Sequence, residues 1–279
     1  MSSCRVLFLA VTFLLGVCPA STLPAATPVF RYSLFSDGPF PAVPDSSAAG
    51  NDGTANANFC FSSDLPSGRF PLDSGDIAFD TGTKLGGAVT NATLLLGNPA
   101  IADAGGFTME CWFRWNGGGT VNSIIDYAGT EKIVLDTRGA TPGLVEMEIN
   151  NALRFPIGVA TAGQWHYVAV AFDTAGAPLN PDGTMSGTLK FYFDDVRLAG
   201  EAAATKNTFG DGLDRAIGIG QHPEGFPLDF FDGFVFEPRV SLGAVAPNDF
   251  LLDGDLPGTL LEAGVPLVLA RGTFPACRL

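Results

Sequence analysis

An all-β, two-sheet antiparallel sandwich is the fold class that this 279-residue sequence predicts, and three observations predict it. Short runs rich in Val, Ile, Phe and Tyr recur along the chain, each closed off by Gly, Pro, Asn or Asp. Gly (35) and Pro (20) exceed ordinary usage, as a fold of many short elements joined by turns requires. No segment sustains the 3.6-residue apolar period of an amphipathic helix, and Pro99–Ala104 reads as one short helical turn at most. An apolar content of 46%, with 23 Phe, excludes global disorder, because that much oily surface offsets chain entropy.

The strands are expected at Val29–Phe35, Asp76–Phe79, Phe107–Trp115, Ser123–Tyr127, Lys132–Asp136 and Leu144–Ile149. They continue at Trp165–Phe172, Thr188–Asp194, Ala216–Ile219 and Asp232–Phe236. In Phe107–Trp115 alternation puts Phe107, Met109, Cys111 and Phe113 on one face, and Glu110, Trp112 and Arg114 on the other. Trp165–Phe172 sorts into Trp165, Tyr167, Ala169 and Ala171 against His166, Val168, Val170 and Phe172. Both sets are mostly apolar, as in a central strand. Thr188–Asp194 alternates strictly, with Leu189, Phe191 and Phe193 on a buried face and Lys190, Tyr192 and Asp194 on a wet one. About ten such strands in roughly 220 residues imply a two-sheet sandwich.

The charges are few and lopsided: 29 Asp and Glu against 15 Lys and Arg, a net of −14. Four lysines occur in the chain, Lys84, Lys132, Lys190 and Lys206. Nucleic acid and anionic lipid head groups are poor partners, since both need clustered positive charge.

Residues 1–20 read as a secretory signal peptide. Arg5 supplies a positive start, Val6–Val17 is a 12-residue apolar run, and Cys18-Pro19-Ala20 offers a cleavage site. A run of 12 is too short to span a bilayer, which takes about 20 residues, and no later stretch is uninterrupted enough to do so. The other reading of Cys18 is a lipid-bearing residue, and bulky Val17 counts against it. The expected product is secreted or extracellular, the periplasm and cell surface included. Cleavage takes Arg5 and moves the net charge from −14 to −15.

Secretion leaves Cys60, Cys111 and Cys277. Three thiols allow one internal disulfide at most. Cys111 lies on an apolar strand face and reads as a small buried hydrophobe, so Cys60–Cys277 is the expected pair. Residues 21–250 are expected to form one domain, with 251–279 a turn-rich tail packed on the sandwich and a last strand near Pro266–Ala270. Asn91-Ala92-Thr93 is a glycosylation acceptor sequence if the source is a eukaryote.

The order of the strand motifs is similar to that of laminin G-like jelly rolls in the concanavalin A-like lectin/glucanase superfamily. Phe30–Asp37 and the loop Asp45–Thr54 resemble that family's first strand and Asp/Asn-rich loop. Phe107–Trp115 resembles its Phe-Thr-Ile-Glu-Ala-Trp-Val strand, and Gly163–Asp173 its Gly-x-Trp-His-x-Val-Ala-Val-x-Phe-Asp strand. Thr188–Leu198, Ile217–Gly220 and Phe231–Arg239 resemble the later strands, so the likeness spans about residues 29–245. Ala48-Ala49 widen the early loop, and Phe236 stands where the closing motif has Asp.

This resemblance implies a jelly roll and a structural calcium ion between the early loop and the closing strand, with Asp45, Asn51 and Asp52 as ligands. The alternative is a surface loop in which Asp and Asn only fix turns. Glucanases of the superfamily carry three carboxylates at alternate positions of one strand. Glu146-Met147-Glu148-Ile149-Asn150 is similar but ends in an amide, which cannot protonate a leaving group. The two Glu read as solvated residues of an amphipathic strand. Glu110, Trp112 and Arg114 are the candidate sugar platform, against a Trp packed beneath a neighbouring loop. His166 reads as a packed or hydrogen-bonded strand residue and His222 as an exposed loop residue. With two histidines in the chain, a Ser-His-Asp or Cys-His mechanism has little material.

The expected function is a secreted, non-catalytic module that binds extracellular carbohydrate or another surface ligand, including cell-surface or matrix protein. Hydrolysis or elimination on a polysaccharide is the enzyme alternative, and a structural or adhesive role with protein partners is the third.

Overall fold

A computed structural model describes residues 27–31, 42–43, 45, 47, 50–55, 60–62, 66, 78–80, 89–91, 106–118, 121–127, 131–137, 141–207, 217–221 and 230–251. The expected signal segment 1–20, the expected turn at Pro99–Ala104, His222, Cys277 and the expected tail strand near 266–270 lie outside the described residues.

Strands dominate. They are β1 (Thr27–Arg31), β2 (Ala42–Val43), β3 (Gly53–Ala55), β4 (Cys60–Ser62), β5 (Ala78–Asp80), β6 (Val89–Asn91), β7 (Phe107–Trp115) and β8 (Val121–Tyr127). They continue as β9 (Glu131–Asp136), β10 (Leu144–Ile149), β11 (Leu153–Val159), β12 (Trp165–Asp173), β13 (Thr184–Phe193), β14 (Leu198–Asn207), β15 (Ile217–Ile219) and β16 (Gly233–Leu242). Among the described residues the one helical element is a 3-10 turn, Pro247–Asp249. Every pairing is antiparallel. The first sheet runs β14-β13-β12-β7-β16-β5-β4, with β1 also on β16, and the second runs β11-β10-β9-β8-β15-β6-β3-β2.

The two sheets meet face to face over one apolar core, to which alternation assigns every second residue. Phe107, Met109, Cys111 and Phe113 of β7, with Val168, Val170 and Phe172 of β12, line the first sheet. Ile133, Leu135, Val145, Met147 and Ile149 answer from the second. Each such side chain stabilises the fold by about 1.5–3 kcal/mol on burial. Cys111 is buried as expected, and burial, helped by Glu110, pushes its thiol well above the ordinary range. His166 is held as expected too. Its Nδ1 bonds the Asp194 carboxylate (2.7 Å), its Nε2 accepts from the Thr161 N–H (2.9 Å), and its ring lies against Phe113 and Phe193.

The short strands β2, β3, β4 and β6 are not among the expected ones, and three larger features also depart from expectation. β11 was not anticipated, because Pro156 and Gly158 break its pattern. Gly158 is needed where a Cβ would come within 2.6 Å of the Phe193 ring. β14 is not expected either, since four of its ten residues are Ala; pairing with β13, continuous from Asn207 to Gly200, makes it a strand. β16 runs past Pro238 to Leu242 through a bulge. There Glu237 takes a φ of +47° and the register with β7 jumps from Phe236 to Arg239. A bulge tolerates a proline because the ladder is interrupted there anyway.

Candidate functional site

Alternation gives each sheet an outward face, and the two faces were finished differently. On the first sheet Glu110, Trp112 and Arg114 do share a face, together with Tyr167 and Ala169 of β12 and Tyr192 of β13. That face is closed by the segment after β16. Val245, Phe250 and Leu251 pack on Trp112, Tyr167, Tyr192, Phe234 and Phe236 in a second apolar cluster. Phe250 meets the Tyr192 ring edge-on at 4.7 Å. The expected wet face of β13 is therefore dry at Tyr192.

Beneath this cover Glu110 is 0% exposed, and its carboxylate is surrounded by donors. It accepts from Arg239 Nε (2.7 Å), from Arg239 Nη2, from the Tyr167 hydroxyl and from the Leu251 N–H (2.9 Å). Burial, then Glu110, push the Tyr167 phenol well above its ordinary pKa, so it stays a donor. Arg114 lies 4.3 Å over the Phe234 ring. The three platform residues share one face, as alternation implies; Trp112 and Glu110 are buried under this cover and Arg114 is half-buried. The physical reason is long-range. A segment more than 130 residues later in the chain supplies the roof.

The second sheet's outward face is built from charges. Register places Arg154 of β11 opposite Glu148 of β10, Glu148 opposite Lys132 of β9, and Lys132 opposite Asp126 of β8. The same row continues through Gly218 of β15 to Thr90 of β6 and Thr54 of β3. Glu146 and Asp136 flank it. Arg154 joins three carboxylates: Nη1 meets Asp136 (2.9 Å) and Glu146 (3.3 Å), while Nε meets Glu148 (2.9 Å). Lys132 holds the other oxygen of Glu148 at 3.3 Å. Partial burial works against the Arg154 charge, yet Glu148, Glu146 and Asp136 outweigh it and raise its pKa.

Glu146 and Glu148 are thus not the solvated pair that the sequence suggests, for Glu148 is buried between two cations. Their partners lie on neighbouring strands, and pairing alone reveals them. Asn150, at the position of the missing acid, has left the face altogether. It sits at φ +57° in the tight turn between β10 and β11, and its amide bonds Thr205 O (2.9 Å) and Asn207 N (2.7 Å) on the first sheet. Arg154, Asp136 and Glu146 are the partly exposed members of this face that can hydrogen-bond a polyol, whereas Asp126, Lys132 and Glu148 are buried. Asp136, Glu146 and Glu148 are all ion-paired with Arg154.

Asp45, Asn51 and Asp52 are brought together in one loop. The Asp45 carboxylate accepts from Ser47 N, Ser47 Oγ and Asn51 N, and Asp45 N donates to Asp52 (2.9 Å). A cation there competes with these donors, and among the described residues no three His, Cys, Asp or Glu side chains converge as a metal group. Asn91 of the acceptor sequence is in β6, in register with the core residue Ile217. No helix among the described residues is long and apolar enough to cross a membrane.

No family model matches the chain, and no curated protein matches it. Solved structures do. One is domain 4 of AbnA, a GH43 extracellular arabinanase from Geobacillus stearothermophilus, in complex with arabinotriose. Its TM-score is 0.53 at 13% identity, over 81% of this chain and 97% of that one. Another is the binding domain of botulinum neurotoxin serotype D/C, with a TM-score of 0.46 at 12% identity; the match covers 80% of this chain and half (50%) of that one. The likeness to the arabinanase domain is one of fold, a β-sandwich.

Proposed function

We propose that this chain is a secreted, non-catalytic module that binds an extracellular carbohydrate on the outward face of its second sheet. The observation that carries the reading is Arg154, one-third exposed and fixed by ion pairs to Asp136, Glu146 and Glu148 at the open end of a row whose inner members Glu148, Lys132 and Asp126 are buried. Sugar hydroxyls need such a mixture of donors and acceptors, and prepaid rigidity lowers the cost of ordering them. Four carboxylates against two cations make the face net negative, as is the chain, so the ligand class is a neutral glycan and not a uronate or sulfated one. A domain of similar fold, solved with arabinotriose, supports the same reading.

Binding is favoured over hydrolysis because Arg154 engages Asp136, Glu146 and Glu148 together, whereas a glycosidase keeps one carboxyl protonated as its acid. A glycan array with parallel reducing-sugar assays on neutral polysaccharides tests this. Retention of a neutral glycan, lost in Arg154→Met without sugar release, is the expected result. An array with no neutral glycan retained, or reducing ends released, would overturn it.

Three further properties belong to the same proposal, each with its own measurement. Cleavage after Ala20 is read by N-terminal sequencing of the exported protein. A Cys60–Cys277 disulfide is read by mass before and after reduction. Calcium at Asp45, Asn51 and Asp52 is read as a rise in Tm at millimolar calcium that Asp45→Ala abolishes.

A further inference from the structure

We propose that β14 is a self-association edge, on which a second copy of this chain adds its own β14 antiparallel and joins the two first sheets into one. β14 ends the first sheet, and β13 is its one strand partner among the described residues. Natural sheets guard such an edge with Pro, bulges, charged side chains or inward-pointing charges, because its unpaired N–H and C=O groups are a template for another strand. The corresponding edge of the second sheet, β11, is guarded in this way. It carries Pro156 and a register irregularity opposite Val145–Glu146. β14 has no proline, and it pairs with β13 without interruption from Asn207 to Gly200. Its guards lie at its two ends, a register irregularity between Leu198 and Gly200 and the inward-facing Lys206 (1% exposed), so the stretch between them is open.

The backbone groups on offer follow from alternation. Asn150 takes Thr205 O and Asn207 N from outside the ladder, so the odd-numbered residues of β14 point their N–H and C=O away from β13. Asn150 therefore plugs the C-terminal end of the edge, Thr205 O included, and leaves the backbone groups of Glu201 and Ala203 and the Thr205 N–H for a partner strand to meet. Glu201, Ala203 and Thr205 are exposed.

The segment fits itself. With the two-fold axis at Ala203, Ala203 faces its own copy, as small as a pairing residue can be short of glycine. Glu201 then faces Thr205 of the other copy, so no like charges stand opposite each other. An axis at Glu201 would set two carboxylates face to face. A closed, isologous dimer results, which leaves no edge for further growth at this end of the sheet.

Light scattering on the full chain across a dilution series tests the proposal. A dimer that dissociates on dilution is expected. Ala203→Asp puts two carboxylates at the axis, and Ala203→Pro removes an N–H that β13 does not use. Both variants should be monomers at every concentration with the strand signal in circular dichroism intact, while Ala203→Thr should stay dimeric. A wild type that is monomeric throughout would overturn the proposal, and so would a dimer that persists in both Asp and Pro variants. A monomer whose Ala203 and Thr205 amides already resist hydrogen exchange also overturns it, because another segment of the same chain then fills the edge.

Discussion

The two outward faces of the sandwich begin from the same rule and finish as opposites. On the first sheet a single carboxylate, Glu110, is buried among matched donors and roofed by Val245, Phe250 and Leu251. On the second sheet several carboxylates are gathered around Arg154 and Lys132, with Arg154 still one-third exposed. A carboxylate that accepts four bonds inside an apolar cover is a structural fastening. Carboxylates that share one partly exposed guanidinium can trade part of that pairing for a ligand's hydroxyls. Glu148, Lys132 and Asp126 are themselves buried, so the exposed Arg154 on one face and the apolar roof on the other separate the two roles.

The largest effect should come from breaking the fastening. Glu110→Ala leaves Arg239, the Tyr167 hydroxyl and the Leu251 N–H without their shared acceptor, at a cost of about 3–5 kcal/mol. Urea unfolding measures it, and a loss below about 1 kcal/mol would show that the roof is not held by this carboxylate.

Removing the roof's main side chain comes next. Phe250→Ala should cost about 3 kcal/mol, since a Phe only 4% exposed vacates its contact with Tyr167 and Tyr192. Tryptophan emission should shift to the red as Trp112 gains water. An unshifted spectrum would mean that the face stays closed without Phe250.

On the charged face the stability cost should be smaller and the functional cost larger. Arg154→Met should lower stability by only about 1 kcal/mol, because the guanidinium is partly hydrated, yet it should remove glycan binding. The loss of stability should shrink in high salt, which screens the three carboxylates left behind. A stability loss as large as that of Glu110→Ala would erase the distinction between the faces.

The smallest effect lies at the uncovered end of the first face, where Asp173 meets Lys190 at 2.8 Å. A hydrogen bond from Lys190, then one from the Ala175 N–H, lowers the Asp173 pKa. A depressed carboxyl stabilises the folded state above its unfolded pKa of about 3.9, and this contribution disappears as pH falls through the lower folded value. Asp173→Asn should therefore cost well under about 1 kcal/mol at pH 7, and the gap to wild type should close in acid. A gap that widens as pH falls would reverse the sign of the pairing.

Much of this architecture was legible in the sequence, for reasons specific to each strand. β7, β10 and β12 announce themselves by β-branched and aromatic alternation, and β7 and β10 begin and end where the pattern does. β14 carries no such signal, because Ala203 and Glu201 have no intrinsic preference for a strand and acquire one only by pairing with Thr188 and Lys190. Of the binding face, Glu146 and Glu148 were legible as neighbours on one side of a strand. Arg154 was not, since it lies in a strand whose proline argues against strand structure.

Sequence alone determined which residues share a side: Glu110 with Trp112 and Arg114, Glu146 with Glu148, Phe107 with Cys111. Alternation is a property of one strand's own backbone and needs no knowledge of the rest of the chain. Tertiary structure alone decided what lies over each side. The roof on Glu110 arrives from residues 245–251, and the cations beside Glu148 arrive from β9 and β11. Exposure and charge pairing are sums over neighbours distant in sequence, so a strand that reads as a sugar platform became a sealed core. The strand that reads as merely solvated became the centre of the charged face.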